Sequence, residues 1–214
     1  MIKDVRDHWY WRPNWRPGRS FYTWHIIFPG DPVMTDVHAA HQGLIAALPG
    51  VTPVPVEWLH LTLQGVGFTD KVPRTDLGPI LEATRRRLEH FRPFVIQLGP
   101  ATVDVESLQL PVTPVDRMRR LRAQLRAAIT DVWGRDSVPV LPELDPHVSL
   151  GYWNQIAPAE PLQKLTRALG GGVATTELTH VSLIELNRDH GQYEWTLCAT
   201  VPLGIQVSPD GAGG

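Results

Sequence analysis

The sequence has one cysteine, no long apolar run and no excess of either charge, and each absence excludes a class of protein. Cys198 cannot form a disulfide within the chain, so we expect a reducing, cytoplasmic environment. It lies in an apolar, strand-like run, which favours a buried packing role over that of a nucleophile. No apolar stretch approaches the ~20 residues of a transmembrane helix, so no membrane partner is expected. The first residues also lack the apolar segment of a signal peptide.

The charge balance argues against a chain that attracts nucleic acid as a whole. It has 20 Lys plus Arg against 22 Asp plus Glu, for a formal net charge of −2. RNA binding would therefore need a local basic patch. A helix predicted over 113–133 carries the densest one, with Arg119, Arg122 and Arg126, which is either a phosphate-binding surface or a solvated face. His and Cys do not cluster at ligand spacing, so we expect no metal and no cofactor.

Short strands mixed with helices predict an α+β fold with antiparallel sheet. The predicted helices cover 35–48, 76–91, 113–133 and 158–169. The predicted strands cover 21–28, 54–67, 94–98, 101–112, 146–152, 176–187 and 193–202. Residues 21–203 form a single domain in this interpretation, and residues 204–214 form a flexible Gly-rich tail.

Residues 1–20, called the arm from here on, do not show a helical pattern. Tryptophans alternate with arginines and two prolines, which is typical of an extended segment. Two interpretations stay open. The arm could wrap the body and bury its tryptophans, or it could border a binding site, stacking a base on Trp and placing Arg on phosphates.

One short pattern, His-apolar-hydroxyl-apolar, occurs at His60 and again at His147. Side chains of a strand alternate between its faces, so His60 and Thr62 share one face, as do His147 and Ser149. Two such strands could give two imidazoles for proton transfer and two hydroxyls to hold an anion. A third copy begins at His180, but no proline precedes it as Pro146 precedes His147.

These two motifs resemble those of the two-histidine phosphoesterase superfamily, which includes 2'-5' RNA ligase-like proteins and cyclic phosphodiesterases. The matching segments are 58–63, Trp-Leu-His-Leu-Thr-Leu, and 145–151, Asp-Pro-His-Val-Ser-Leu-Gly. The similarity covers about 21–203, with the arm outside it. Ser149 stands where Thr is common in the family and keeps the hydroxyl. The resemblance implies two pseudo-symmetric lobes of antiparallel sheet with flanking helices, and a central cleft lined by both motifs.

The resemblance also implies roles for the motif residues. His60 and His147 would be the general base and the general acid, in an order that the sequence leaves open, and Thr62 and Ser149 would bind the phosphate. Five further residues are candidates for lining the substrate because they lie beside the motifs or could stack a base: Gln64, Tyr152, His25, His180 and Tyr22.

The expected activity is metal-independent cleavage of a 2',3'-cyclic phosphate or a 2'-5' phosphodiester, in RNA or a small nucleotide, by a monomer. One alternative is ligation of RNA ends through a 2'-5' bond at the same site. A second is an RNA- or nucleotide-binding module without catalysis, and a third is a scaffold protein. The presence of both histidines favours an enzyme over the last two.

Overall fold

A computed structural model of the chain describes residues 2–138 and 142–204. Part of the predicted tail, residues 205–214, lies outside this description. The α-helices of the described residues are α1 Pro32–Ala47, α2 Arg74–Leu88, α3 Val115–Trp133 and α4 Ala159–Leu169. The strands are β1 Asp4–Val5, β2 Phe21–Ile27, β3 Val51–Pro53, β4 His60–Phe68, β5 Phe94–Leu98, β6 Thr102–Val103, β7 Ser107–Thr113, β8 His147–Trp153, β9 Ala157–Pro158, β10 Ala174–Leu178, β11 His180–Asn187 and β12 Glu194–Pro202.

Two antiparallel sheets form the body, and each carries one motif strand. The four-stranded sheet has the order β12-β11-β2-β4, and the six-stranded sheet has the order β10-β5-β7-β8-β3 with β6 beside β7. Their inward apolar residues and the apolar faces of the helices make one core. The predicted α+β class with antiparallel sheet is thus confirmed.

The two sheets do not correspond to the two halves of the chain, although the motifs fall one in each half. The predicted strand 176–187 is two strands, β10 and β11, separated at Thr179. The strand β10 pairs with β5 in the larger sheet, whereas β11 pairs with β2 in the smaller one. In the same way β3, from the first half, pairs with β8. The polypeptide therefore crosses between the sheets several times, which ties the two together.

Other strand boundaries also differ from the prediction, for local reasons. The first motif strand begins at His60 and not at 54, because a 3-10 turn at Val56–Trp58 follows Pro55. The predicted strand 101–112 is β6 and β7, with a turn in which Asp104 N donates to Ser107 O at 2.8 Å. Cys198 is exposed and not buried, because it is the extra residue of a bulge in the edge strand β12.

The arginines of α3 hold the segment that leads into the second motif strand. Arg122 donates to the carbonyl of Pro142 at 2.7 Å, and Arg119 donates to that of Leu144 at 3.2 Å. Arg119 also pairs with the Glu143 carboxylate at 3.0 Å. This side of the helix is therefore not a fully solvated face, because Arg119 and Arg122 bind other parts of the chain. Among the described residues, no helix is both long and apolar enough to cross a bilayer.

The start of α1 gives a test of the fold. The Asp31 side chain accepts hydrogen bonds from Val33 N at 2.8 Å and Met34 N at 3.2 Å, and its other oxygen accepts one from the Thr176 hydroxyl at 2.8 Å. We expect Asp31→Ala to lower the free energy of unfolding by about 1–2 kcal/mol, because capping donors of the helix lose their partner. Urea denaturation measures this. Asp36→Ala, on an exposed position of the same helix, is the control, and an equal loss in both variants would contradict the capping role.

Candidate functional site

A cavity of about 480 Å³ lies between the two sheets, within the usual size range of small-molecule sites. The strand β4 contributes His60 and Thr62 to its wall, and β8 contributes His147 and Ser149. The structure thus brings all four motif residues to one cavity. Their catalytic and phosphate-binding roles remain predictions.

Each motif strand has a β-bulge directly after its hydroxyl residue. In β4 the partners across to β2 are Thr62 opposite His25 and then Gln64 opposite Trp24, so that Leu63 is the extra residue. A bulge puts two residues of one strand opposite one of its partner and reverses the alternation beyond it. Gly65, three residues after the hydroxyl, therefore lines the cavity.

The strand β8 repeats this arrangement. Ser149 lies opposite Gln109, and Gly151 lies opposite Leu108, so that Leu150 is the extra residue. Tyr152, again three residues after the hydroxyl, lines the cavity as expected from the sequence. The two walls therefore match in the bulge after the hydroxyl as well as in their motifs, and β4 has a second bulge at Val66.

The bulge in β4 corrects the prediction for Gln64. Uninterrupted alternation would put Gln64 beside His60 and Thr62, but beyond the bulge its side chain lies on the α3 side. There its Oε1 accepts from Arg122 Nε at 3.4 Å, its Nε2 donates to Gly65 O at 2.9 Å, and only 2% of the residue is exposed. It does not line the cavity in the part of the chain that the structure describes.

The same backbone contact orients both motif imidazoles. His60 Nδ1–H donates to the carbonyl of Trp58 at 2.8 Å, and His147 Nδ1–H donates to that of Asp145 at 2.9 Å. A carbonyl can only accept, so Nδ1 carries the proton of each neutral ring. Nε2 is then the nitrogen with a lone pair in both rings, and it can take up or return a proton.

The two imidazoles differ in burial. His60 is 7% exposed, whereas His147 is half-buried. Burial lowers the pKa of His60 to about 4, since the charges of His147 and His8 act in the same direction and the bond to Trp58 only partly opposes them. His60 is therefore neutral at neutral pH and can accept a proton.

His25, predicted as a cleft residue, lines the cavity and contacts the first hydroxyl. Its Nε2 lies 2.7 Å from Thr62 Oγ1, and its buried Nδ1 has no partner among the described residues. Burial and then the charge of His60 keep its pKa well below the usual value, so the ring is neutral. A buried unpaired N–H is rarer than a buried unpaired acceptor, which favours the tautomer that donates to Thr62. The Thr62 proton is then left for a ligand.

Two other candidates lie elsewhere. Tyr22 is 2% exposed and packs in the hydrophobic core, because it is on the opposite face of β2 from Phe21 and Thr23, which line the cavity. His180 lines a separate cavity of about 130 Å³ beside Asp31. It lies at the start of β11, level with the last residue of β2, because β11 runs antiparallel with Ser182 opposite His25. Neither is a wall of the motif cavity.

The cavity wall includes residues that were not singled out from the sequence, among them His8, Glu106 and Tyr193. His8 donates from Nδ1 to the Glu106 carboxylate, 3.1 Å away, and its Nε2 accepts from the Tyr193 hydroxyl at 2.9 Å. Burial opposes ionisation of Glu106, but His8 and the charges of Arg12 and Arg6 outweigh it and lower its pKa to about 2. No periodicity marks these residues, since they lie in loops or at strand ends. Only the Trp and Arg content of the arm pointed to this region.

Both interpretations of the arm hold in part. It packs on the body, with Val5 fully buried, and it also borders the site, since Arg12 and Trp15 line the same cavity as the motif histidines. Its Trp11, in contrast, is 56% exposed. Among the described residues, no group of three or more His, Cys, Asp or Glu is arranged to hold a metal ion.

Several solved structures share this fold. TT0787 of Thermus thermophilus superposes with a TM-score of 0.64 at 17% identity, over 87% of this chain and 100% of its own. LigT of E. coli in complex with phosphate gives 0.59 at 16% identity, over 87% of this chain and 98% of its own. LigT in complex with 3'-AMP gives 0.60 at 16% identity, over 87% and 99%.

Comparison of the sequence itself gives two results. A search among curated proteins finds no match. The profile of the 2'-5' RNA ligase superfamily matches residues 32–190, which is well over half of the chain and includes both motif strands. The chain therefore belongs to the 2'-5' RNA ligase superfamily.

Proposed function

We propose that this protein is a phosphoesterase that opens a 2',3'-cyclic phosphate, or cleaves a 2'-5' phosphodiester, of RNA or a nucleotide without a metal ion. The observation that carries the proposal is the equivalence of the two walls. Each supplies an imidazole oriented through Nδ1 and a hydroxyl on the same face of the strand. LigT of E. coli, which shares the fold, was crystallised with phosphate and with 3'-AMP.

His60 suits the role of general base. Its pKa of about 4 leaves the ring neutral at neutral pH in the free protein. As a general acid it would have to be protonated, and at neutral pH only a small fraction of the protein would be in that form. His147, which is less buried, is then the proton donor.

In the proposed reaction, water attacks phosphorus and gives its proton to Nε2 of His60, while the bond from phosphorus to one ribose oxygen breaks. Nε2 of the protonated His147 gives its proton to that oxygen, leaving a monoester and a free hydroxyl. Negative charge grows on the non-bridging oxygens in the transition state, where the Thr62 and Ser149 hydroxyls can donate to them.

Ligation is a second candidate because the matched family is described by that activity. A 5'-hydroxyl of RNA would replace water at the same site and form a 2'-5' bond. Analysis of products with an excess of a 5'-hydroxyl acceptor separates the two reactions.

Removal of either motif imidazole tests the proposal. We expect His60→Asn and His147→Asn each to lower kcat on adenosine 2',3'-cyclic phosphate by about 10²–10⁴-fold, the usual contribution of one acid or base. EDTA should leave the wild-type rate unchanged, because proton transfer needs only the two imidazoles. His180→Asn, in the third copy of the pattern, is the matched control and should keep most of the activity. Loss of activity in EDTA, with recovery on adding a divalent ion, would contradict the mechanism. An equal loss of activity in His180→Asn would contradict it as well.

The assignment of the base predicts the pH dependence. Protonation of His60 would stop the reaction, but with a pKa of about 4 the ring stays largely neutral down to pH 5. We therefore expect loss of the base to cause no fall in kcat/KM, which reports the free enzyme, from pH 7 to pH 5. A fall of roughly 25-fold over this range, as a base with the ordinary imidazole pKa of about 6.5 would give, would contradict the assignment.

The contact of His25 with Thr62 predicts a coupled effect. His25→Phe should lower kcat by roughly tenfold or less, the size of one hydrogen bond, because the Thr62 hydroxyl loses the group that orients it. In a Thr62→Ala background the same change should have little further effect. The double-mutant cycle in kcat measures this. If the loss of kcat in the double variant equalled the product of the losses in the two single variants, His25 would act independently of Thr62.

A further inference from the structure

The arm adds to the site from outside the segment that the family profile matches. The family match begins at residue 32, and TT0787 is covered completely by 87% of this chain. The described part of the arm, residues 2–20, nevertheless supplies His8, Arg12 and Trp15 to the wall of the cavity. The walls built by β4 and β8 therefore have an addition from residues that precede the family match.

The arm begins on the larger sheet. Its β1 pairs with β9, the Arg6 amide donates to Val105 O at 2.8 Å, and the His8 amide donates to Trp153 O at 2.9 Å. Farther along, Arg12 pairs with Glu106, beside β7. These contacts hold residues 4–12 to the side of the cavity that carries the second motif.

The arm then continues onto the smaller sheet. Trp15 packs on Phe68 and Phe21, with ring centroids 5.2 and 6.0 Å apart. The Gly18 amide donates to the Asp189 carboxylate at 2.7 Å, and Arg19 pairs with Asp70 at 2.7 Å. Between residues 12 and 15 the arm thus crosses from one wall to the other.

The crossing lies at the end of the cavity away from the motif imidazoles. On the larger sheet, His8 stacks on Tyr152 with ring centroids 4.1 Å apart, and Tyr152 is five residues beyond His147 in β8. The Tyr193 ring bridges the distance to the first motif, with its centroid 5.5 Å from that of Tyr152 and 5.7 Å from that of His60. The Tyr152 ring is therefore at most about 11 Å from the His60 ring, on the order of the length of one nucleotide.

The side chains at the closed end suit a flat ring. Trp15, Phe21 and Tyr152 contribute aromatic rings to the wall there, and Tyr193 lies between Tyr152 and His60. The guanidinium groups beside this wall are already engaged within the protein. Arg12 and Arg6 pair with the ionised Glu106, and the buried Arg188 donates to the carbonyls of His8 and Tyr10.

We propose that the arm builds a nucleobase subsite at this closed end, with Trp15 as a stacking residue. This inference rests on the proposed function, since it places the phosphate between His60 and His147. It specifies the substrate as a nucleotide, free or at the end of RNA, whose base reaches Trp15.

Binding measurements on the full chain test the subsite without turnover. The probes are adenosine 3'-monophosphate and inorganic phosphate, which lacks a base. Trp15→Ala should weaken binding of the nucleotide by about tenfold, within the range for one base on one aromatic ring, and should leave phosphate affinity unchanged. Trp11→Ala, an exposed tryptophan of the same arm, is the matched control and should change neither affinity. Calorimetry gives both constants.

A spectroscopic measurement covers the case in which Trp15→Ala does not fold. In the intact protein, the indole N–H resonance of Trp15, assigned with Trp15→Phe, should shift on adding the nucleotide but not on adding phosphate. No shift with the nucleotide would overturn the proposal, and so would equal weakening of both probes by Trp15→Ala or no change in either. If the cyclic phosphate were not hydrolysed while the nucleotide still bound through Trp15, the proposed reaction would fail and the subsite would stand.

Discussion

The site depends on the alternation of side chains along two strands, and on the bulge that interrupts this alternation directly after each motif hydroxyl. In β4 and β8 a histidine and a hydroxyl residue two positions later share the face toward the cavity, and a bulge follows the hydroxyl by one residue. Without the bulge in β4, Gln64 would face the cavity and the glycine after it would face α3. The alternation of side chains reverses at the same position in both strands. The residues that line the wall three positions after each hydroxyl are therefore equivalent in position, although one is Gly65 and the other is Tyr152.

Burial sets the charge state of this cavity in the absence of a ligand. Four histidines line it, and burial is the first cause that lowers the pKa of three of them, His8, His25 and His60. Neutral imidazoles can lie close together, as the rings of His25 and His60 do at 4.8 Å, whereas several imidazolium ions could not. An anion in the cavity would reverse this balance and favour protonation, so phosphate binding and proton uptake should be linked.

Segments outside the motif strands hold the walls in place. The loop that leads into β8 is bound through its carbonyls by arginines of α3. The buried Arg188 donates to the carbonyls of His8 and Tyr10, at 3.2 and 3.3 Å, and so fixes the arm over the cavity. Basic residues in a slightly acidic chain thus position backbone at the site, a role that net charge could not indicate.

The sequence alone determined the fold class, the helices to within a few residues, and the four motif residues that meet in the cavity. These depend on local rules, namely alternation along a strand, helical periodicity and a repeated short motif. Only the tertiary structure decided the rest. The bulge in β4 moved Gln64 away, sheet pairing separated β10 from β11 and put His180 beside another cavity, and a bulge in the edge strand β12 exposed Cys198. The contributions of His8, Glu106 and Tyr193 depend on contacts between residues about 100 to 185 positions apart in the chain, which leave no periodic trace in the sequence.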